Sequence, residues 1–142
     1  MKNIRAYFTA MLIVLISACG GGGGNNGGGA SSVTAPTSIA GKVYRMTITS
    51  GSGFYATTGT YTVSFSSTQN IYIVTGDGVN VADSAGTYTY SASGNVGSVS
   101  IVDSLVGNGS FALTFTSTTG GTFVATAASD PNSSQSGSFV EI

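Results

Sequence analysis

The sequence predicts an all-β fold, a single antiparallel meander that closes into an eight- or nine-stranded barrel. From about residue 37 onward, apolar and small polar residues alternate, which is the period of a half-buried strand. Thr, Tyr, Phe, Val and Ile dominate these segments, and Gly, Asn and Asp fill the breaks between them. No helical periodicity competes with this pattern. A β-sandwich is the alternative arrangement of the same strands.

The predicted strands follow one another closely along the chain. They lie at approximately 40–49, 55–66, 70–75, 79–82, 86–92, 97–103, 110–117 and 121–127, and the pattern also allows a closing strand at 137–142. Glycine accepts positive φ at little steric cost, so we expect hairpin turns at the breaks 51–53, 76–78, 107–109 and 120–121. Sequential hairpins imply an antiparallel meander. Closure is favoured because the strands carry few charges to protect an open edge.

A short motif, Gly followed by Thr or Ser and then Tyr or Phe, recurs where strands begin. It occurs at residues 59–61, 86–88, 109–111, 121–123 and 137–139, and this irregular spacing argues against a solenoid or propeller. If each aromatic faces inward, period 2 defines one apolar face and one face rich in Thr, Ser and Ala. The inward face then consists of Tyr44, Met46, Ile48, Tyr61, Val63, Phe65, Tyr88, Tyr90, Val99, Ile101, Phe111, Leu113, Phe115, Phe123 and Phe139.

The composition excludes most common catalytic and nucleic-acid-binding sites. The 142-residue chain has no His and a single Cys, so most acid/base, zinc and Cys-nucleophile sites cannot be built. After residue 18 the only cations are Lys42 and Arg45, which are too few for a nucleic-acid-binding face. We therefore predict a protein that is not an enzyme, needs no cofactor or metal, and binds no nucleic acid.

Two carboxylates continue the inward register of their strands. Asp103 follows Val99 and Ile101, and Glu141 follows Phe139. A pair of carboxylates could in principle perform glycosidase-type acid/base chemistry, but we interpret both residues as part of a solvated rim at strand ends. Asp77 is predicted to lie in a turn with Gly78. Residues 77–83 offer oxygen ligands, but they lack the ligand order of an EF-hand calcium site.

The first 18 residues have the organisation of a secretory signal peptide. Lys2 and Arg5 precede an apolar run over residues 6–16, which is shorter than the roughly 20 residues of a membrane-spanning helix. The segment 16–19, Ile-Ser-Ala-Cys, resembles the lipobox of bacterial lipoproteins. The resemblance implies that Cys19 becomes the mature N-terminus and carries fatty-acyl chains such as palmitate. The protein is then anchored in the bacterial cell envelope, and Gly20 in place of Asp favours the outer membrane.

The remainder of the chain divides into a linker and a folded domain. Residues 19–36 are predicted to form a Gly-rich tether, because a run with almost no side chains to bury behaves as a flexible coil. Residues 37–142 form the barrel domain. This domain resembles the small calycin-like barrels of bacterial lipoproteins in the segments 40–44, 86–90 and 113–117. Calycins often carry ligands or inhibit enzymes, so the resemblance implies a binding role.

Inward-facing aromatic side chains are the candidates for a ligand pocket, since a phenol ring combines an apolar body with a polar tip. We predict that Tyr61, Tyr88, Tyr90, Phe111 and Phe115 line such a pocket, core packing being the alternative role for the same residues. The leading hypothesis is a non-catalytic, lipid-anchored envelope protein that binds a protein partner or a small apolar ligand. A structural or adhesive surface component and a hydrolase inhibitor are the alternatives.

Overall fold

The computed structural model describes residues 32–142, which form a closed antiparallel barrel of eight strands. The strands are β1 (Val43–Gly51), β2 (Gly59–Phe65), β3 (Ile71–Thr75), β4 (Ser84–Ser93), β5 (Val96–Asp103), β6 (Gly107–Ser117), β7 (Gly120–Ala127) and β8 (Ser134–Glu141). Each strand pairs with the next, and β8 pairs with β1. The predicted meander barrel is confirmed. The signal peptide, Cys19 and residues 20–31 of the tether lie outside the described residues.

The two ends of the barrel differ. The capped end, where β1 begins, is covered by residues 33–41, in which Ile39 is completely buried. The backbone N–H of Ala35 donates to the carbonyl oxygen of Gly94 at 2.8 Å, which fastens this segment to the barrel. The open end carries the loops 52–58, 76–83, 104–106 and 128–133. Chain packed against the core therefore begins at Val33, before the predicted domain boundary at residue 37.

The core follows the predicted period-2 pattern. Every residue predicted to face inward is buried except Tyr90 and Phe111, which are partly buried and pack against the core. The capped half of the interior is filled by aromatic rings in T-shaped contacts, including Tyr44 with Phe139 at 5.4 Å and Phe115 with Phe139 at 5.0 Å between ring centroids. Such aromatic pairs stabilise a core by about 0.5–1.5 kcal/mol beyond burial alone.

The glycines of the recurring motif face inward, two positions before their aromatic residues. At four of them a Cβ atom would lie within 2.8 Å of a carbonyl oxygen on the neighbouring strand: Gly86, Gly109, Gly121 and Gly137. Glycine at these positions permits the close backbone approach and strong bending that a small barrel requires. The motif is therefore explained by barrel curvature rather than by a structural repeat.

The predicted strand at 79–82 is wrong, because residues 76–83 form a loop. Asp77 Oδ1 accepts hydrogen bonds from the backbone N–H groups of Val79, Asn80 and Val81, at 3.0, 2.7 and 3.0 Å. A side chain that takes up consecutive backbone donors in this way competes with a strand ladder. The predicted turn at Asp77 is confirmed. With this segment removed and β8 present, the strand number is eight.

Two predicted turns are displaced along the chain. Asp103 pairs with Gly107 and Ser117 pairs with Gly120, so the connecting residues are 104–106 and 118–119. Gly107 and Gly120 therefore begin strands instead of lying at turn centres. Gly107, the first residue after this three-residue connection, still adopts a φ of +70°, which glycine accepts at little steric cost.

Candidate functional site

A pocket of about 420 Å³ opens at the open end of the barrel. It occupies the half of the interior that the aromatic core leaves free. All four loops of the open end and several strands contribute to its lining, which is largely apolar and aromatic. The principal lining residues are Phe54, Tyr55, Tyr61, Tyr72, Val74, Val81, Ser84, Ile101, Asp103, Leu105, Val106, Phe111 and Gln135.

Asp103 lines this pocket and has only 8% of its surface exposed, so its predicted place on a solvated rim is wrong. Its Oδ2 accepts hydrogen bonds from the hydroxyls of Tyr72 at 2.5 Å and Ser84 at 2.9 Å. Its Oδ1 accepts from the backbone N–H groups of Leu105 at 2.8 Å and Val106 at 3.1 Å. All four lone-pair positions of the carboxylate are therefore occupied by neutral donors.

Two opposing effects act on the pKa of Asp103. Burial raises the pKa because it disfavours the charged form, whereas the hydrogen bonds from Tyr72, Leu105, Val106 and Ser84 lower it. The hydrogen bonds prevail, and the pKa lies below its ordinary value of 3.8. Asp103 is therefore a carboxylate at neutral pH.

A second buried polar chain holds the loop 52–58 in place. The Tyr61 hydroxyl donates to Gln135 Oε1 at 3.0 Å, and Gln135 Nε2 donates to the carbonyl oxygen of Ala56 at 3.1 Å. Gln135 has only 5% of its surface exposed. These bonds connect β2 and β8 to the loop 52–58. They therefore hold in place the part of the pocket wall that Phe54 and Tyr55 form.

The Tyr55 hydroxyl is buried and has no hydrogen-bond partner among the described residues. Burial raises the pKa of Tyr55, and the negative charge of Asp103 raises it further, so this hydroxyl lies within the field of that carboxylate. A buried hydroxyl without a partner costs about 1–3 kcal/mol. Tyr55 therefore contributes its ring to the pocket lining, while its hydroxyl is an unsatisfied polar group buried in the wall.

Charges are distributed unequally between the two ends. Asp77, Asp83, Asp103 and Asp130 all belong to the open end. Hydrogen bonds hold the pKa of Asp77 and Asp130, like that of Asp103, below the ordinary value of 3.8. At Asp77 the donors are backbone N–H groups, first that of Val81, and at Asp130 the main donor is the Ser133 hydroxyl. At the capped end, Lys42 Nζ donates to Glu141 Oε1 at 2.6 Å. The open end is therefore acidic and the capped end is nearly neutral.

The structure separates the aromatic residues that were predicted to line a pocket. Tyr61 and Phe111 line it. Tyr88 packs against Phe65 with ring centroids 4.8 Å apart, and Phe115 packs against Phe139. The Tyr90 hydroxyl donates to the carbonyl oxygen of Pro36 at 2.7 Å, in the segment that covers the capped end. Tyr88, Tyr90 and Phe115 are thus placed outside the pocket.

The two inward-register carboxylates lie at opposite ends of the barrel. Asp103 ends β5 at the open end, whereas Glu141 ends β8 at the capped end. In an antiparallel barrel, β5 and β8 run in opposite directions, so their final residues cannot meet. Asp103 and Glu141 cannot form one acid/base pair.

Sequence reasoning missed two important residues of the pocket. Tyr55 was assigned to the start of a strand but lies in the loop 52–58, and Gln135 falls before the predicted closing strand. A signal for the first was present in the sequence. Phe54 and Tyr55 are adjacent aromatics in a segment otherwise composed of Gly, Ser, Ala and Thr, and their rings lie 5.3 Å apart.

Comparison of the chain with models of protein families, with curated proteins and with solved structures gave no match. Across residues 32–142, the structure contains no helix long and apolar enough to cross a membrane.

Proposed function

We propose that the barrel binds a small, largely apolar molecule in the pocket at its open end, without catalysing a reaction on it. The observation that carries this proposal is a pocket of about 420 Å³ whose mainly apolar and aromatic lining includes a few polar side chains, among them Ser84 and Asp103. Pockets for small molecules have volumes of about 300–1,000 Å³ and combine apolar walls with a few polar groups. An apolar body with one polar end matches this lining.

The division of the barrel interior supports the proposal. An eight-stranded barrel is wide enough either to be filled by side chains or to hold one small ligand. In this barrel, Phe115 and Phe139 belong to a packed core at the capped half, each with at most 4% of its surface exposed. The packed half supplies stability, and the open half is left for a ligand.

The proposal includes attachment to the bacterial cell envelope through lipid on Cys19, most consistently at the outer membrane. Support comes from the signal-like segment and the lipobox-like residues 16–19. The first described residues cover the capped end. The described chain therefore begins at the end of the barrel opposite the mouth of the pocket.

An NMR titration with 2-phenylethanol tests the pocket. The protein is the chain from residue 19 onward with Cys19→Ser, so that no lipid competes as a ligand. We expect saturable chemical-shift changes at the amides of Leu105 and Val106, which are bonded to Asp103 in the pocket, and none at Gly94 in the capped end.

Two substitutions in one loop provide the matched control. Val81 is partly buried and lines the pocket, so Val81→Trp should fill the space and abolish binding. Val79 has 86% of its surface exposed, so Val79→Trp should bind as the unsubstituted chain does. Equal binding by both variants, or no saturable binding by the unsubstituted chain, would contradict the proposal.

A further inference from the structure

The hydroxyl groups around the base of the pocket act mainly as hydrogen-bond acceptors toward a ligand. Tyr72 and Ser84 donate their protons to Asp103, and Tyr61 donates its proton to Gln135. A hydroxyl has one proton and two lone pairs, so each of these groups can now only accept further bonds. A ligand that carries several N–H or O–H donors fits this surface better than one that carries only acceptors.

The charge behind these hydroxyls is negative and is not balanced by a nearby cation of the described chain. Residues 32–142 contain one Lys and one Arg. Lys42 is paired with Glu141 at the capped end. Arg45 is exposed between the buried residues Tyr44 and Met46, so it lies on the outer wall of the barrel. Asp103 therefore projects its field into the pocket without a basic partner.

The walls of the pocket add a second attraction for positive charge. Phe54, Tyr55, Tyr61, Tyr72 and Phe111 all contribute to its lining. The face of an aromatic ring carries partial negative charge and attracts a cation, more strongly where water is excluded. The same rings cover the apolar body of a ligand.

The mouth of the pocket has the same sign of charge as its interior. Asp77, Asp83 and Asp130 lie in the loops of the open end, and neither Lys42 nor Arg45 lies there. A cleft lined by charges of one sign raises the local concentration of oppositely charged ligands and excludes ligands of like charge. Anionic ligands such as fatty acids are therefore disfavoured.

We infer that the pocket selects organic cations, specifically a protonated amine attached to an aromatic or branched apolar body. This inference rests on the proposed function and narrows its ligand class. The ammonium N–H groups donate to the hydroxyl oxygens of Tyr72 and Ser84, which are bonded to Asp103. The apolar body lies against the aromatic walls near the mouth.

The test compares 2-phenylethylamine, which is protonated at neutral pH, with 2-phenylethanol, which has the same shape and no charge. Both are titrated into the chain from residue 19 with Cys19→Ser, at low and at high salt. We expect the amine to bind at least about tenfold more tightly at low salt. High salt should reduce the ratio of the affinity for the amine to the affinity for the alcohol, while leaving the affinity for the alcohol nearly unchanged.

The outcomes separate this inference from the proposed function. Equal affinities, or tighter binding of the alcohol, would overturn the cation selectivity while leaving a small-molecule pocket in place. Binding of neither compound would overturn both. A preference for the amine that persists in Val81→Trp would also overturn the inference, because the amine would then bind outside the pocket.

Substitutions test which carboxylates produce the preference for the amine over the alcohol. Asp103→Asn should lower the amine-to-alcohol ratio by roughly tenfold, since it removes the buried charge and keeps one acceptor oxygen. Asp83→Asn, which leaves the buried network intact, should lower the ratio by roughly twofold. Glu141→Gln at the capped end is the control and should leave the ratio unchanged. An unchanged ratio in a folded Asp103→Asn protein, or in Asp83→Asn, would contradict the inference.

Discussion

Tyr72 and Asp103 face each other across Gly86, which pairs with both of them. Tyr72 lies on β3, Asp103 lies on β5, and Gly86 occupies the row between them on β4. Because Gly86 has no side chain, the Tyr72 hydroxyl reaches over β4 and donates to the Asp103 carboxylate at 2.5 Å. One missing side chain therefore makes possible the polar network at the base of the pocket.

Replacing Tyr72 by Phe should destabilise the barrel. The substitution keeps the ring but removes one of the donors that stabilise a buried carboxylate. Hydrogen bonds to charged groups contribute roughly 1.5–3 kcal/mol, so we expect the free energy of unfolding to fall by about that amount, measured by urea denaturation.

Tyr44→Phe is the matched control for that experiment. The Tyr44 hydroxyl is buried and has no hydrogen-bond partner among residues 32–142. Its removal should leave the free energy of unfolding unchanged or raise it by up to about 1 kcal/mol. Equal destabilisation by the two substitutions would show that ring packing, and not the bond to Asp103, accounts for the loss.

Gly86→Ala should be strongly destabilising. The added Cβ would lie 2.1 Å from the carbonyl oxygen of Val102 and 3.0 Å from the Cα of Asp103, so two strands would have to separate. We expect a loss of at least about 3 kcal/mol in the free energy of unfolding.

Gly94→Ala separates this steric effect from backbone conformation. Gly94 has a φ of +58° but no atom near the position of an added Cβ. The cost should be only that of left-handed backbone, about 1–2 kcal/mol. A loss at Gly94 as large as that at Gly86 would argue against the close approach of β4 and β5.

Acid should destabilise the barrel partly through Asp103. The pKa of Asp103 in the folded protein lies below its ordinary value of 3.8. A group with a lowered pKa contributes stability above its unfolded pKa, and this contribution is lost as the pH falls through the folded pKa. Unfolding free energies measured from about pH 7 down to about pH 2 should therefore decline from near pH 4.

The comparison with Asp103→Asn isolates the contribution of this residue. The variant should be less stable than the unsubstituted protein at neutral pH, and the difference should shrink below about pH 4. Asp77 and Asp130 also have lowered pKa values and should leave a residual acid slope in the variant. A constant difference across this pH range would contradict the ionised state of Asp103.

Alkali should unfold the barrel through its buried tyrosines. Burial raises the pKa values of Tyr44, Tyr61 and Tyr72 well above the ordinary value of 10.0, and at Tyr72 the bond to Asp103 adds to the effect. A group with a raised pKa contributes stability below its unfolded pKa, and this stability is lost as the pH rises further. The free energy of unfolding should therefore fall above about pH 10.

Tyrosinate absorbance measures this transition directly, and the chain has no Trp to obscure it. We expect part of the tyrosine signal to appear only together with the loss of β-sheet circular dichroism. Tyr72→Phe should remove one tyrosine from this cooperative step. Complete tyrosine ionisation while the sheet signal persists would contradict the burial of these hydroxyls.

The alternation of side chains was sufficient to predict the inward face of most strands. Tyr44, Met46 and Ile48 illustrate this, because a period of two places all three on one side of β1 and the structure buries them. Alternation failed at Val79 and Val81, where the Asp77 carboxylate binds the backbone donors and prevents a strand. A pattern of hydrophobic residues does not show where a side chain will compete for backbone hydrogen-bond donors.

The site was harder to predict than the fold for a geometric reason. The two-residue period predicts that Tyr90 and Tyr61 both face the interior, but it does not predict the end of the barrel at which each residue lies. That position depends on strand register, which leaves Tyr61 at the pocket and Tyr90 beside Pro36. The contribution of Tyr55 depends on a loop conformation, for which alternation gives no information.

The closure of β8 on β1 has a consequence for the kinetics of folding. This pairing joins residues such as Tyr44 and Glu141, which lie far apart in the chain. Long-range pairings of this kind slow folding, because loop-closure entropy is lost before the contact forms. Until β8 has been synthesised, β1 and β7 each have one edge without a partner strand, and these edges can associate with other chains. We therefore expect productive folding, and with it the pocket, only after the last strand is available.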